Sequence, residues 1–451
     1  MVDSASGDRE SGRERATIRR ESTGPGPEGI TPSMQSVTIV GAGVVGHACA
    51  VALRNYGYTG RITVVGAERH RPYDRPPLGR GFLTGQTTIG DLALDAPGDD
   101  LDVDWQLGVA AAALDPTGHR LRLATGRTLA ADAVVITTGS AARTLPAMPR
   151  GAHTLRTIDD ALALREELLP GARMVVVGAG VVGLEVASTA RALGLDVTVL
   201  AGGPDALGPL VGGVVADAVL RLHTNAGSTV RTGLRVRELI GPGWLSGLRL
   251  STGEEIGADV VLLDIGSVPA VGWLAGSGLD LRGGVVCDEV GGTSAPGVVA
   301  VGDCAAWRDP DTDHPHTGEP DTGDPDTDRP DTDEHHTAEH RRIVHWTDTR
   351  NRAGIAMAAL LGVDPGRAAL PGTVTSAQAG SRVQFAGRVR GGERITVEAG
   401  GVATGDLLAV YHRGDRPVAV LGINQPALLA DWRDRLLPAP AAAIRDASAP
   451  G

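Results

Sequence analysis

The chain has 451 residues, of which 42% are hydrophobic, and its 42 basic and 54 acidic residues give a formal net charge of −12. This length predicts two or three domains, each able to bury a core. The acidic balance gives no overall basic field of the kind that favours nucleic acid, and the sequence has no run of about 18 apolar residues that would span a membrane. Residues 1–36 lack an apolar stretch, so we expect a disordered tail there rather than a signal peptide.

The first motif in chain order is a glycine-rich turn after a predicted strand over residues 37–40. It contains Gly41, Gly43 and Gly46 and leads into a predicted helix. We call it the first glycine turn. In a G-x-G-x-x-G fingerprint the first glycine permits the tight turn, the second lets backbone N–H groups approach a pyrophosphate, and the third lets helix and strand pack closely. Glu68, 22 residues after Gly46, stands where a carboxylate that binds ribose hydroxyls is expected.

The same fingerprint recurs 137 residues later. Gly178, Gly180 and Gly183, the second glycine turn, follow a predicted strand over residues 174–177 and precede a predicted helix over residues 184–193. Glycine makes up 64 of the 451 residues, so a single match arises easily by chance, and two purely structural turns of an α/β protein are the alternative. Two matches in the same strand–turn–helix context favour two bound dinucleotides in one chain, each with its pyrophosphate at a helix N-terminus.

The remaining chain supplies further strands and helices. Buried-type strands are predicted over residues 62–65, 134–137, 196–200, 260–265 and 298–301. A helix is predicted over residues 350–361, then antiparallel-type strands over residues 382–389, 394–398, 407–412 and 418–423, and a last helix after Pro426. This order predicts an α/β protein with two Rossmann-like dinucleotide-binding domains, the second inserted in the first, and a C-terminal α+β domain.

Residues 309–340 have a composition of their own. They hold 12 acidic residues and one arginine, a charge of −11, which leaves −1 for the rest of the chain. Their recurring Asp, Thr and Pro predict a disordered, solvated insertion that cannot bury a core. Weak metal binding by the five histidines of this segment is the less favoured alternative (His314, His316, His335, His336 and His340).

Several short motifs outside the glycine turns are distinctive. The most specific is Pro-Tyr-Asp-Arg-Pro-Pro-Leu at residues 72–78. The others are Thr138-Gly139, Gly183-Leu184-Glu185, Thr293-Ser294-Ala295-Pro296, Val301-Gly302-Asp303, His345-Trp346 and Asn424-Gln425-Pro426. Together with the two glycine turns, over residues 37–437, they resemble the FAD-dependent ferredoxin reductases of the rubredoxin- and putidaredoxin-reductase type, within the pyridine nucleotide–disulfide oxidoreductase superfamily.

The resemblance implies how the chain is divided. It implies an FAD-binding domain over residues 37–146 and 265–365, an inserted NAD(P)-binding domain over residues 147–264, and a C-terminal reductase-type α+β domain over residues 371–438. Residues 1–36 and 439–451 are then tails, and residues 309–340 are an insertion in the FAD-binding domain. Members of the family occur as monomers and as homodimers, so both oligomeric states stay open.

The resemblance also implies roles for individual residues. For FAD these are Gly41, Gly43, Gly46, Glu68, Arg75, Arg80, Thr138, Gly139 and Asp303, of which Asp303 suits the ribityl hydroxyls. For NADH or NADPH they are Gly178, Gly180, Gly183, Glu185 and Asp205. Arg80 and Glu185 are the expected catalytic residues beside the reacting rings. No metal ligand is implied.

The implied activity is hydride transfer from NAD(P)H to FAD, followed by electron transfer to a small ferredoxin-like iron–sulfur protein. The three cysteines, Cys49, Cys287 and Cys304, form no C-x-x-C or C-x-x-x-x-C pair. A disulfide reductase needs such a pair beside the flavin, so glutathione- or lipoamide-type activity is disfavoured, and a reduced cytoplasmic setting fits.

Four departures from the family pattern keep other functions open. Gly79-Arg80 replaces Ser-Lys, Ala201 replaces an acid that binds the NAD ribose, and the acidic insertion is additional. In the family's Trp-Ser-(Asp/Glu)-Gln signature, which lies by the flavin and the partner interface in relatives, Ser376 and Gln378 remain, but Thr375 and Ala377 replace the tryptophan and the acid. Asp205 is the substitute ribose ligand, with NADH favoured because no nearby arginine would receive a 2′-phosphate. A segment of charge −11 would slow docking of an acidic ferredoxin. The alternatives are an oxidase or diaphorase using oxygen or quinones, and a low-activity FAD- and NAD-binding sensing module.

Overall fold

The computed structural model describes residues 34–95, 101–202, 211–308, 340–342, 346–364, 373–389 and 392–436. The helices are α1 (Val44–Asn55), α2 (Ile89–Leu92), α3 (Ile158–Glu167), α4 (Val181–Ala192), α5 (Gly213–Asn225), α6 (Trp346–Leu361) and α7 (Pro426–Arg435), with 3-10 turns at Pro76–Gly79 and Gly272–Leu274. None of the helices within these ranges is long and apolar enough to cross a membrane.

Twenty-six strands are assigned in the same ranges. Those up to residue 177 are β1 (Ser36–Val40), β2 (Arg61–Gly66), β3 (Val103–Leu107), β4 (Ala111–Asp115), β5 (Arg120–Leu123), β6 (Thr128–Ala130), β7 (Ala133–Ile136), β8 (Ser140–Ala142), β9 (Ala152–His153) and β10 (Arg173–Val177). Those from residue 196 to 287 are β11 (Asp196–Ala201), β12 (Thr229–Thr232), β13 (Val236–Ile240), β14 (Gly247–Leu250), β15 (Glu255–Gly257), β16 (Val260–Leu263), β17 (Ser267–Pro269) and β18 (Val285–Cys287). The last are β19 (Val298–Ala300), β20 (Ala305–Arg308), β21 (His340–Arg342), β22 (Thr373–Gln378), β23 (Ser381–Gly387), β24 (Arg394–Gly401), β25 (Asp406–Arg413) and β26 (Arg416–Ile423).

Two five-stranded parallel sheets have the same plan. The first has the order β19-β7-β1-β2-β3 and the second, read in the same direction, β9-β16-β10-β11-β12. In each, a three-stranded antiparallel sheet interrupts the chain order: β4-β5-β6 lies between β3 and β7, and β13-β14-β15 between β12 and β16. The first sheet takes β19 from beyond the end of the second sheet, so the second unit is inserted within the first, and the predicted fold class is confirmed.

The parallel strands are buried on both faces and are therefore almost wholly apolar. All residues of β7 and β16 are buried, and so are the last four of β1 and β10. Helices α1 and α4 begin after the second glycine of each turn, with Gly43 and Gly180 as their N-caps, and pack their buried faces on these strands. The carboxyl ends of the central strands thus lie beside the helix N-termini in both sheets.

A third sheet of five antiparallel strands, in the order β22-β23-β26-β25-β24, ends the described chain. Its buried side chains, including Leu407 and Tyr411, share one apolar core with Val176 and Leu184 of the second parallel sheet and its helix. The predicted turn at residues 413–416 joins β25 and β26, with Arg413 paired to Arg416.

Sequence patterns located the central strands but were less accurate elsewhere. Strand β16 ends at Leu263, two residues earlier than expected, and α6 begins at Trp346, four residues earlier. The strands β4–β6, β13–β15 and β22 were not predicted, since they are short or half-exposed. The predicted acidic insertion, apart from His340 at the start of β21, and the two tails beyond residues 34 and 436 lie outside the described residues.

Candidate dinucleotide sites and their junction

The first glycine turn has the geometry that only glycine permits at two of its positions. Gly41 has a φ of 123°, and a Cβ there would lie 2.2 Å from the carbonyl oxygen of Thr137. A Cβ on Gly46 would lie 1.9 Å from the carbonyl oxygen of Gly41. A Cβ on Gly43 would meet only the Arg75 guanidinium, at 3.9 Å. The turn is therefore tightly packed beneath Gly41 and Gly46 and open above Gly43, beside a positive charge.

Helix α1 has Gly43 as its N-cap, and no side chain among the described residues caps it. The first N–H groups of a helix have no partner within the helix, and the helix dipole makes this end attractive to anions. An open glycine, uncapped N–H groups and a neighbouring arginine fit the pyrophosphate of a dinucleotide. The structure thus brings Gly41, Gly43, Gly46 and Arg75 together, as predicted.

Glu68 lies at the end of this same site. Its Oε1 accepts a hydrogen bond from Arg75 Nη2 at 3.0 Å, and its Oε2 accepts one from Tyr73 Oη at 2.5 Å. Burial raises the pKa of Tyr73, so its hydroxyl remains a donor. The carboxylate is thereby fixed in orientation by the segment that follows β2. Tyr73 was not predicted as a site residue, although it stands within the most specific motif of the sequence.

Asp303 is held by two partners that sequence reasoning missed. Its Oδ2 accepts hydrogen bonds from Arg156 Nη2 at 2.5 Å and from Ser140 Oγ at 3.0 Å. Gly139 precedes Ser140, has a φ of 72°, and has open space where a Cβ would stand. Thr138 Oγ1 donates to the carbonyl oxygen of Ala270. Thr138, Gly139 and Asp303 therefore lie together beyond β7, and Arg156 adds a charge that no motif predicted.

The second glycine turn differs from the first in the side chain that lies beside it, which is Asp264. Gly178 has a φ of 108°, and a Cβ there would lie 1.9 Å from the carbonyl oxygen of Asp264. The Asp264 carboxylate also enters the turn: its Oδ2 accepts a hydrogen bond from Gly183 N at 2.7 Å and would lie 2.5 Å from a Cβ on Gly180. The three predicted glycines lie together, and Asp264 was not predicted. Asp205, the expected ribose ligand, lies outside the described residues.

Three distant segments meet at Glu185, one turn into α4. Arg80 Nε lies 3.6 Å from Glu185 Oε2, and Ser376 of β22 donates a hydrogen bond to Glu185 Oε1 at 2.6 Å. Thr189 Oγ1 donates to the carbonyl oxygen of Gly79, which holds the Pro76–Gly79 turn against α4. The group of Arg80, Glu185 and Ser376 is named the junction, because it joins the first parallel sheet's loop, the second sheet's helix and the C-terminal sheet.

The junction carboxylate is 5% exposed. Burial raises the pKa of Glu185, and the Arg80 guanidinium and the Ser376 hydroxyl oppose that rise. A buried carboxyl with a raised pKa, held by two polar partners where the two nucleotide-type units meet, is suited to bind or orient a polar group of a bound ligand. The predicted catalytic pair is therefore brought together in one place.

The cysteines lie in the core around the first parallel sheet. Cys49, Cys287 and Cys304 are free and buried, and burial raises the pKa of each thiol. They are therefore thiols rather than thiolates at neutral pH. Within the described residues no group of three or more His, Cys, Asp or Glu side chains could hold a metal ion.

Comparison with known proteins agrees with this geometry. A family model for pyridine nucleotide-disulphide oxidoreductases matches residues 35–330, which include both glycine turns and the junction residues Arg80 and Glu185. The chain belongs to the pyridine nucleotide-disulphide oxidoreductase family. The family predicted from short motifs is thereby confirmed.

Relatives within this family include components of oxygenase systems. The chain is 33% identical over 396 residues, 86% of this chain and 89% of the relative, to the ferredoxin–NAD(+) reductase subunit of a benzene 1,2-dioxygenase system from Pseudomonas putida. It is 34% identical to rhodocoxin reductase from Rhodococcus erythropolis over 61% of this chain and 66% of that protein.

Solved structures give the same picture. The structure of a covalent putidaredoxin reductase–putidaredoxin complex superposes with a TM-score of 0.79 at 28% identity, covering 89% of this chain and 93% of that chain. The ferredoxin reductase for the CYP199A2 system from Rhodopseudomonas palustris superposes with a TM-score of 0.77 at 27% identity, covering 88% and 93%. As a member of the family, this protein is an oxidoreductase with the fold of a putidaredoxin reductase.

Proposed function

We propose that this protein is an FAD-dependent oxidoreductase that takes hydride from NADH and passes electrons to a small ferredoxin-like iron–sulfur protein. The observation that carries the proposal is the junction, in which Glu185 on the helix of the second glycine turn meets Arg80 from the loop that follows β2 of the first sheet. A flavin held by the first turn and a nicotinamide held by the second would meet at this point.

The residues around the first glycine turn fit FAD. The open N-terminus of α1 beside Arg75 suits its pyrophosphate, and Glu68, already oriented by Tyr73 and Arg75, suits its adenosine ribose. Asp303 and the open space at Gly139 suit the ribityl chain. Bound FAD would supply the chemistry that no side chain provides, accepting two electrons together and releasing them singly.

The chain's own residues would bind the nicotinamide ring and orient it toward the flavin. Arg80 places a permanent positive charge beside Glu185, which stabilises negative charge that develops nearby. Ser376 fixes the Glu185 carboxylate and couples it to the C-terminal sheet. The pair would hold the nicotinamide ring against the flavin and exclude water from between them, which is the protein's share of hydride transfer.

The proposed partner is inferred from the chain's relatives and structural neighbours. Relatives of this chain include a ferredoxin–NAD(+) reductase subunit, and one structural neighbour is putidaredoxin reductase in a covalent complex with putidaredoxin. The acidic composition of residues 309–340 would disfavour an acidic partner that docks close to it, so we expect an iron–sulfur protein whose docking face avoids this segment or carries positive charge.

The test is anaerobic mixing of the FAD-loaded protein with NADH, and separately with NADPH, followed by flavin absorbance at about 450 nm. We expect fast bleaching with NADH, slower bleaching with NADPH, and reoxidation on adding an oxidised ferredoxin. Bound FAD that neither nucleotide reduces would contradict the proposal and leave a sensing module. Reduction by NADH with reoxidation only by oxygen or quinones would replace the ferredoxin partner by the oxidase or diaphorase activity.

A further inference from the structure

The two glycine turns are flanked by equivalent residues of different charge. Val40 pairs with Ile136 in the first sheet, so the next residues, Gly41 and Thr137, lie side by side. Val177 pairs with Leu263 in the second sheet, so Gly178 lies beside Asp264. The register thus makes Thr137 and Asp264 counterparts. One is a neutral hydroxyl and the other a carboxylate.

Thr137 and Asp264 differ in their hydrogen bonds, since one side chain donates and the other accepts. Thr137 Oγ1 donates to the carbonyl oxygens of Val40 and Gly41 and so stays beneath the turn. Asp264 Oδ2 accepts from Gly183 N, within the first turn of α4. An N–H at a helix N-terminus is one of the groups that a bound anion uses. In the second turn that group is already engaged by the protein's own anion.

The carboxylate lies between the second and third glycines of the turn, 2.5 Å from a Cβ built on Gly180 and 2.8 Å from one on Gly183. The second glycine of the fingerprint lacks a side chain because the pyrophosphate comes close to it. Asp264 Oδ2 would lie 2.5 Å from a Cβ on Gly180, whereas a Cβ on Gly43 would meet only a guanidinium at 3.9 Å. Within the described part of the chain Asp264 makes no ion pair, and its carboxylate has the backbone N–H of Gly183 as its hydrogen-bond donor.

We propose that Asp264 is a built-in competitor for the pyrophosphate of the nicotinamide dinucleotide: its carboxylate occupies the N-terminal end of α4, and the ligand binds only by displacing it or by binding beside it at an electrostatic cost. The inference rests on the proposed function, because it assumes that the second glycine turn receives this dinucleotide. Asp264 thereby weakens nicotinamide binding and favours release of the oxidised product.

Burial is consistent with this role. It raises the pKa of Asp264, while the hydrogen bond from Gly183 N opposes the rise. A carboxylate that is costly to keep charged, with a single hydrogen bond from the described residues, is a weakly held occupant. A phosphate group that offers more acceptor atoms to the same N-terminus would replace it at moderate concentration.

The test compares Asp264→Asn and Asp264→Thr with the wild-type protein loaded with FAD. Asparagine keeps the shape and removes the charge, and threonine copies the residue of the first turn. Binding of ADP-ribose, which carries the pyrophosphate but no nicotinamide, is measured by calorimetry, and binding of adenosine, which carries no phosphate, serves as the matched probe. We expect ADP-ribose to bind about tenfold tighter to both variants, with adenosine unchanged.

Asp196→Asn is the control variant, since Asp196 is exposed at the opposite end of β11 and changes the net charge equally. We expect it to bind ADP-ribose as the wild type does. A KM for NADH that falls in the Asp264 variants in parallel with ADP-ribose, with kcat changed less, would support competition at binding. Equal or weaker ADP-ribose binding in both folded Asp264 variants would overturn the proposal and make Asp264 a supporting residue.

The ADP-ribose binding measurement distinguishes failure of this inference from failure of the proposed function. If ADP-ribose binding responds as expected while NADH reduces the flavin in no variant, Asp264 is a competitor at a nucleotide site of a protein that is not a reductase. If NADH reduces the flavin quickly and ADP-ribose binding is indifferent to Asp264, the proposed function stands and the competitor role is wrong.

Discussion

The first and second parallel sheets share strand order, register and glycine spacing, yet the surroundings of their turns carry opposite charge. The middle glycine of the first turn, Gly43, is open and faces Arg75, whereas that of the second, Gly180, is closely approached by the Asp264 carboxylate. On the two proposals above, the same backbone would form one site that holds a dianion tightly and another that resists one. This suits a tightly held cofactor in the first and a substrate that must leave after each turnover in the second.

The largest effect is expected at the first glycine of the turn, a backbone position that both sheets share. Gly41→Ala would force a Cβ into the Thr137 carbonyl at a positive φ, so we expect a loss of stability of at least about 3 kcal/mol and loss of bound FAD. Gly126→Ala is the control, because Gly126 also has a positive φ of 86° but open space around it, and should cost about 1 kcal/mol. Thermal unfolding and the flavin-to-protein absorbance ratio measure both; equal losses would show that φ alone, and not the close approach, demands glycine.

The next prediction places the residue type of the second turn, the aspartate at position 264, at its counterpart in the first turn, Thr137. Thr137→Asp would give the first turn the charge of the second, so we expect FAD affinity to fall by about a hundredfold or more. Thr137→Val removes the hydroxyl without adding charge and should weaken FAD binding far less. Fluorescence titration of the apoprotein with FAD distinguishes them. Similar affinities for the two variants would mean that packing, not charge, separates the two turns.

A third prediction concerns the helices that follow the turns. Counting from the third glycine, Glu185 of α4 is the counterpart of Ala48 of α1. Glu185→Ala should therefore leave folding nearly intact but slow flavin reduction by NADH by about tenfold to a hundredfold, because the group beside Arg80 is lost. Single-turnover reduction measures this effect, and Ser188→Ala, on the same helix, is a control. An unchanged rate would remove Glu185 from the proposed machinery.

The protonation of Glu185 offers a smaller effect. The Ser376 hydroxyl lowers the pKa of this carboxyl against the rise caused by burial, so Ser376→Ala should raise it further. The carboxyl then stays neutral to a higher pH, and the pH profile of flavin reduction should shift upward. Ser381→Ala in β23 is the control. A downward shift would show that the hydrogen bond favours the protonated form.

The smallest effect is expected at the other ends of the sheets. Asp132 accepts hydrogen bonds from Ser36 and Gln35 before β7, and Asp259 pairs with Arg173 before β16. The Arg173 side chain lowers the pKa of Asp259 to about 2, and Ser36 also lowers that of Asp132. Both therefore stabilise the fold above the unfolded-state pKa of about 4, and this stability is lost as pH falls toward the folded-state value.

Each of these exposed groups should contribute less than about 1 kcal/mol. Salt should weaken the contribution of the Asp259 ion pair more than that of Asp132, whose partners are neutral. Urea unfolding of Asp132→Asn and Asp259→Asn at about pH 7 and about pH 3, with and without salt, measures this difference. Identical salt dependence would show that the ion pair contributes no more than the neutral hydrogen bonds.

Local chemistry explains why much of the fold was predictable. The strands of the parallel sheets are short apolar runs, and the glycines that follow them are required by backbone contacts within a few residues or with the adjacent strand. Both signals are visible in the printed order of residues. The small antiparallel strands β4–β6 and β13–β15 were missed because each is only 3 to 5 residues long, too short for a pattern to stand out.

The site was predictable only in part, for a different reason. Glu68 and Arg75 stand at fixed distances along the chain from the first turn, and motif spacing located them. Arg156 reaches Asp303 from 147 residues away, and Ser376 reaches Glu185 from 191 residues away. Spacing carries no signal over such separations. The division into domains stays a prediction, as do the roles of the individual site residues.

The sequence by itself determined two nucleotide-type strand–turn–helix units and their family, because steric limits on glycine positions and the periodicity of buried strands act over a few residues. Only the tertiary structure decided which charges stand beside each turn. Arg75 and Asp264 enter the turns from loops that the sheets bring alongside. Arg80, Glu185 and Ser376 meet because the Pro76–Gly79 turn and β22 both pack on α4, which carries Glu185. These contacts depend on the register of nonadjacent strands, which the order of residues does not display.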